Sequence, residues 1–187
     1  LNGSGLASTA AGIDDVNGDG IDDMLVDEVS RRDDSSVTSY VVYGRAEGFE
    51  QTVDLSRLSS NEGYEMTGLS AFGKANITAS AGDVNGDGIG DIVLGDPGDT
   101  NSVYIVYGQS DERRSVNLLA LDGVDGFRVD GIDFTGGVGL AASGVGDVNG
   151  DGLDDIIVGS STTTQDGNSI GQANIIFGQT KQQSCDF

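Results

Sequence analysis

Three stretches of this sequence carry side chains that could gather round one ion. They are Asp15-Val16-Asn17-Gly18-Asp19-Gly20-Ile21-Asp22-Asp23, Asp83-Val84-Asn85-Gly86-Asp87-Gly88-Ile89-Gly90-Asp91 and Asp147-Val148-Asn149-Gly150-Asp151-Gly152-Leu153-Asp154-Asp155. Each reads Asp-x-Asn-x-Asp-Gly-x-x-Asp. Oxygen side chains at positions 1, 3 and 5 converge if the loop curls, and the glycine at position 6 permits the curl. A main-chain carbonyl at position 7 (Ile21, Ile89 or Leu153) adds another oxygen, and the carboxylate at position 9 (Asp23, Asp91 or Asp155) closes the shell. Six or seven hard oxygens suit Ca²⁺, so three calcium sites are expected; Mg²⁺ demands stricter octahedral geometry and more water. Thiolate and imidazole metals lack their ligands, since there is no His and the sole cysteine, Cys185, lies outside the motifs.

A single such loop could equally be a set of Asx turns that satisfy their own backbone. Three copies with the same four polar positions favour a metal. Repulsion points the same way: Asp14, Asp15, Asp19, Asp22 and Asp23 crowd into the first copy alone, a cost that a cation relieves. An EF-hand begins similarly but needs an acid at position 12 and flanking helices. Position 12 here is Val26, Leu94 or Val158, each inside an apolar run. The motif therefore reads as a β-hairpin loop.

The elements that must position these loops repeat with them, at a period of about 65 residues, which marks one supersecondary unit copied three times. A Gly- and Ala-rich segment precedes each motif, and an apolar run ending in glycine follows it: Tyr40 to Gly44, Val103 to Gly108, and Ala173 to Gly178. A third match links Val53-Asp54-Leu55 to Val116-Asn117-Leu118, and Gly63 to Gly68 with Gly126 to Gly131. Short β-branched and aromatic runs bounded by Asp and Gly predict strands, near Thr78–Ala81, Asp91–Gly95, Val103–Tyr107 and Phe127–Gly131, with counterparts in the other copies. Short helical turns are expected around Leu55–Leu58 and Leu118–Leu121. The fold class is then all-β: propeller-type blades of four antiparallel strands in three repeats, approximately 1–63, 64–131 and 132–187, as a single array.

The second copy carries Phe72-Gly73, then the aspartate loop, then Gly95-Asp96-Pro97. With this order the chain resembles the FG-GAP repeat of integrin α-subunit heads and many secreted microbial proteins. Departures are visible: the first copy has Ser4-Gly5 and the third Val138-Gly139 in place of Phe-Gly, and the later element reads Asp27-Glu28 and Gly159-Ser160-Ser161. The resemblance implies that each repeat supplies most of a four-stranded blade. It further implies that calcium sits in the hairpin loop, that ligands meet the opposite face, and that the module is an extracellular or cell-surface binding or adhesion unit.

Composition bounds the function. The 187 residues hold 9 Lys and Arg against 31 Asp and Glu, a net charge of −22. Such a surface repels nucleic acid and anionic lipid. Without His there is no Ser–His or Cys–His pair, and the acids are committed to the loops, so no enzyme is expected. No apolar run is long enough to insert in a membrane. Glycine at 31 residues and proline at 1 suit tight turns between short strands. Asn2-Gly3-Ser4 and Asn76-Ile77-Thr78 fit the glycosylation pattern, although such triplets also arise by chance. Cys185 is either an incidental thiol or a bridge to another chain or to a segment outside this sequence. Ser160 to Thr164 reads as a solvated hydroxyl loop, Arg31-Arg32 and Arg113-Arg114 as partners of nearby aspartates, and Tyr40, Tyr43, Tyr104 and Tyr107 as strand packing.

Leu1-Asn2-Gly3 aligns with the end of a fourth strand and Asn174 to Gly178 with a third. Open blade faces are therefore expected, covered either by more of a longer propeller or by further copies of the chain. The expected partners are a protein or glycan ligand, or such copies. The rival roles are a subunit of an extracellular filament and an accessory propeller of a larger secreted enzyme.

Overall fold

The structure, a computed structural model, describes residues 5–30, 36–49, 52–70, 77–96, 102–130, 141–163 and 168–180. Asn2, Phe72, Gly73, Asn76, Pro97 and Cys185 lie outside them. The described chain is all-β, with two single-turn 3-10 segments at Leu55–Arg57 and Leu118–Ala120, where short helical turns are expected. Among the described residues no helix is long and apolar enough to cross a membrane.

The strands form three sheets. The first contains β1 (Gly5–Ile13), β2 (Asp23–Ser30), β3 (Ser36–Val42) and β4 (Gly63–Ser70), antiparallel in sequence order. The second contains β5 (Ile77–Gly82), β6 (Asp91–Asp96), β7 (Ser102–Val106) and β9 (Gly126–Val129). The third contains β10 (Ala141–Gly146), β11 (Asp155–Thr163) and β12 (Ser169–Ile176). The remaining strand, β8 (Ser115–Asn117), crosses to the first sheet and pairs in parallel with β4, setting Val116 opposite Met66. A three-residue strand has too little pattern to stand out in a sequence. Here it covers the edge that β4 would otherwise leave unpaired.

Two cores lie between the sheets. Leu25, Val41, Tyr43 and Met66 of the first sheet pack on Ile92, Leu94, Tyr104 and Val106 of the second. Val93, Val103, Ile105 and Tyr107 of the second pack on Ala142, Ile156 and Val158 of the third. The second sheet is thus apolar on both faces, and every residue of β6 and β7 is buried. This explains the unbroken apolar runs, since a strand covered on both sides loses the usual alternation. The inner strands β1, β5 and β10 line an open cleft of about 470 Å³. An all-β fold of successive antiparallel sheets stacked face to face is consistent with a propeller-type architecture.

One expectation is corrected. Ser160 to Thr163 belongs to strand β11, not to a solvated loop. Ser160 pairs with Gln172 and Thr163 with Ser169, and Ser160 is buried. Thr suits a pleated surface, and the facing β12 satisfies a backbone that a loop would leave to water.

Candidate functional site

All three aspartate motifs form the loop of the first hairpin in their sheet, joining β1 to β2, β5 to β6 and β10 to β11. The loops share one conformation. Glycines at position 6 (Gly20, Gly88, Gly152) have φ of 87°, 85° and 91°. Glycines at position 4 (Gly18, Gly86, Gly150) have φ of 74°, 76° and 81°. Both positions need the left-handed region that only glycine enters without cost. The position 4 glycine was legible in the repeated Asn-Gly-Asp-Gly string, yet the ligand pattern assigns it no task.

The oxygens at positions 1, 3 and 5 organise the loop backbone. Asp15 Oδ1 accepts from the amides of Gly18 (2.7 Å) and Asp19 (3.1 Å), and Oδ2 from Gly20 (2.6 Å). Asn17 Oδ1 accepts from the Asp19 amide at 2.9 Å, and Asp19 Oδ1 from Ile21 at 2.9 Å. Asp83, Asn85 and Asp87 repeat this pattern, and so do Asp147, Asn149 and Asp151. These are Asx turns in each loop. For Asp147, amide donors led by Gly152 hold the carboxyl below its ordinary range.

The carboxylate at position 9 has a role that the ligand pattern does not reveal. Asp23, Asp91 and Asp155 are buried at the start of their strands. Asp91 accepts from the Val84 amide at 2.9 Å and the Gly108 amide at 2.8 Å, pinning the loop entrance to the end of β7. Asp23 does the same with Val16 and Gly44, and Asp155 with Val148 and Gly178. Burial pushes Asp91 up to about 7, against the pull of those two amides, and the Asp87 and Asp83 charges add to the rise. Asp23 is raised to about 6 for the same reasons, with Asp15 and Asp19 beside it.

Among the described residues, no three or more Asp or Glu side chains stand close enough together to form a metal-holding group. The arrangement is a set of preformed loops whose carboxylates face their own amides.

Each loop is also joined to its neighbour. The Asp154 amide donates to the Asp83 carbonyl at 3.0 Å, and the Asp83 amide to Asp154 Oδ2 at 2.8 Å. Gln109 donates to the Val16 carbonyl at 3.1 Å and Gln179 to the Val84 carbonyl at 2.8 Å. The position 7 side chains Ile89 and Leu153 lie against Gly18 and Gly86 of the preceding loop.

Outside the loops, Arg113 pairs with Asp125 at 3.0 Å, in line with its expected acidic partner, and its guanidinium lies 5.3 Å from the centre of the Tyr64 ring. Tyr43, Tyr104 and Tyr107 are buried packing residues.

The FG-GAP repeat family model matches residues 139–172, which contain the third loop. Integrin alpha-PS2 of Drosophila melanogaster is 30% identical over 162 residues, covering 81% of this chain and 11% of that protein. Integrin alpha-2 of Mus musculus is 32% identical over 102 residues, covering 53% of this chain and 8% of that protein. The chain belongs to the FG-GAP repeat family. A phosphatidylinositol-glycan-specific phospholipase D of Dictyostelium discoideum is also similar, 24% identical over 188 residues, or 91% of this chain and 19% of that protein. The FG-GAP chain thus spans about a fifth or less of the length of these relatives.

Proposed function

We propose that this FG-GAP chain is a calcium-binding, non-catalytic propeller module of an extracellular or cell-surface protein, serving adhesion or assembly. The observation that carries this reading is the recurrence of one loop conformation, built from the same oxygen donors, at the same place in three successive sheets. The donor set fits a hard cation. In the first loop Asp15, Asn17, Asp19, the Ile21 carbonyl and Asp23 would hold the ion. In the second these are Asp83, Asn85, Asp87, the Ile89 carbonyl and Asp91. In the third they are Asp147, Asn149, Asp151, the Leu153 carbonyl and Asp155.

The amide hydrogen bonds do not exhaust these oxygens. A carboxylate offers about four lone-pair sites, and Asp15 commits three of them to loop amides. The amides therefore aim the side chains and leave a direction for the ion. Bound there, calcium supplies positive charge to a group of carboxylates that otherwise repel one another. Because the position 9 aspartate also grips the end of the third strand, the ion would tie loop and sheet together. Melting with excess calcium and with a chelator tests this. Binding to the folded state alone raises the midpoint by mass action, so an unchanged midpoint would defeat the reading.

A second reading is an accessory propeller within a larger secreted enzyme. The match to the phospholipase D, which covers 91% of this chain, favours it. Here too the chain itself contributes no chemistry, and the calcium loops keep the same task. Assaying phospholipase activity of this chain and of its full-length gene product separates the two roles.

A further inference from the structure

Two positions beside the loop donors differ between the repeats, and they meet across the joints. The residue before position 1 is Asp14, Gly82 or Gly146, and the residue at position 8 is Asp22, Gly90 or Asp154. At each of the two internal joints one aspartate faces one glycine, but the order is swapped. Asp14 of the first repeat meets Gly90 of the second, where an added Cβ would stand 2.7 Å from the Asp14 Cβ. Asp154 of the third repeat meets Gly82 of the second, where an added Cβ would stand 2.8 Å from the Asp154 Cβ. Each glycine makes room for the opposite carboxylate, and Gly82 also takes a left-handed φ of 77°.

The swap decides what each carboxylate reaches. Asp14 accepts from the Ser80 hydroxyl, on strand β5. Asp154 Oδ2 instead accepts from the Asp83 amide at 2.8 Å, while the Asp154 amide donates to the Asp83 carbonyl at 3.0 Å. Both main-chain groups of a position 1 residue are thereby held by one residue of the next repeat. The first joint keeps half of this clasp: the Gly90 amide donates to the Asp15 carbonyl at 2.9 Å, and Gly90 has no side chain to return. A bond to an ionised acceptor is roughly twice as strong as a neutral one, so the two joints differ in grip.

We propose that Asp154 is a positioning residue for the second calcium loop and couples the filling of the second and third loops. The coupling rests on the calcium reading. An ion in the third loop would be held by the Leu153 carbonyl and by Asp155, the two neighbours of Asp154. Asp154 in turn holds Asp83, the first donor of the second loop. Adjoining groups thus link the two sites. Coupling between binding sites is reciprocal, so each ion tightens the other by the same factor.

Equilibrium dialysis over a range of free calcium reads this in chains with chosen loops emptied. Asp19→Ala empties the first loop, Asp87→Ala the second and Asp151→Ala the third. With only the first loop emptied, the remaining two ions should bind about fivefold or more tightly than the two single-loop chains predict. With only the third emptied, the excess for the first two loops should be smaller. Asp154→Ala should abolish the excess between the second and third loops. Asp154→Asn, which keeps an oxygen acceptor for the Asp83 amide, should retain it, a rescue that general damage to the fold would not show. Independent filling of the second and third loops overturns the proposal, as does an excess that survives Asp154→Ala or is lost in Asp154→Asn. The single-loop comparison keeps Asp154 in place, so it decides the coupling even if Asp154→Ala does not fold. Chains that bind no calcium defeat the calcium reading as well, whereas calcium bound without excess overturns only the coupling.

Discussion

The Gly90 amide donates to the Asp15 carbonyl at 2.9 Å, so the second aspartate loop is hydrogen-bonded to the first residue of the first. The Asp154 amide makes the same bond to Asp83. The loops are therefore joints between sheets as well as turns within hairpins. Whatever fixes the backbone of one loop also fixes the seat of the next sheet.

Close backbone approach at these joints leads to the first prediction. A Cβ on Gly108 would stand 2.3 Å from the Gly90 carbonyl oxygen and 2.9 Å from that of Val16. Gly108→Ala should cost about 1–3 kcal/mol through this crowding. Gly12→Ala, with nothing within 4 Å of its Cβ, should cost far less. Denaturant unfolding of the two variants checks the contrast.

The second prediction compares equivalent positions in different sheets. Ile105 is fully buried between the second and third sheets, and Ile175 is 49% exposed. Ile105→Ala should cost about 2–5 kcal/mol by leaving a cavity. Ile175→Ala should stay within about 0.5 kcal/mol, as surface changes do. Comparable losses at both positions would mean that the third-sheet face is covered within one chain.

The hairpins, the apolar strand runs and the two short turns were legible because they repeat, and because period and turn residues report local geometry. What repetition could not reveal is how one copy leans on the next. Asp91 reads as one more oxygen at position 9, but its clasp on the Val84 and Gly108 amides depends on the β7 end coming close in space. The parallel pairing of Val116 with Met66 joins different repeats and leaves no local pattern. Ser160 misled because a hydroxyl run resembles a loop until the partner strand β12 is known.

A third prediction concerns pH. Burial raises Asp91 to about 7 in the folded, calcium-free chain, above the ordinary carboxylate value near 4 that the unfolded chain keeps. The folded state then binds the extra proton between these values. The favourable contribution of Asp91 is complete below about pH 4 and is lost as pH rises through about 7. Asp91→Asn should flatten that part of the stability–pH profile measured in chelator. An unaltered slope between pH 4 and 7 would contradict the assignment.

Arg113 supplies a fourth. Its guanidinium is buried, donates to the Tyr107 carbonyl, Gln109 and Asp125, and lies over Tyr64. Arg113→Ala should cost about 2 kcal/mol, through its lost hydrogen bonds and lost packing. Added salt should reduce the part of that loss that comes from the Asp125 pair, whose carboxylate is 57% exposed, and leave the packing part unchanged. Urea unfolding at low and high salt measures it.

Counting bound metal tests the central claim most directly. Equilibrium dialysis against calcium, followed by elemental analysis, should give three ions per unmodified chain. Asp87→Ala removes a single side-chain donor, at position 5 of the second loop, and should give two ions while the other loops stay filled. No calcium bound by the unmodified chain, or three ions still held by the variant, would contradict the assignment of the loops.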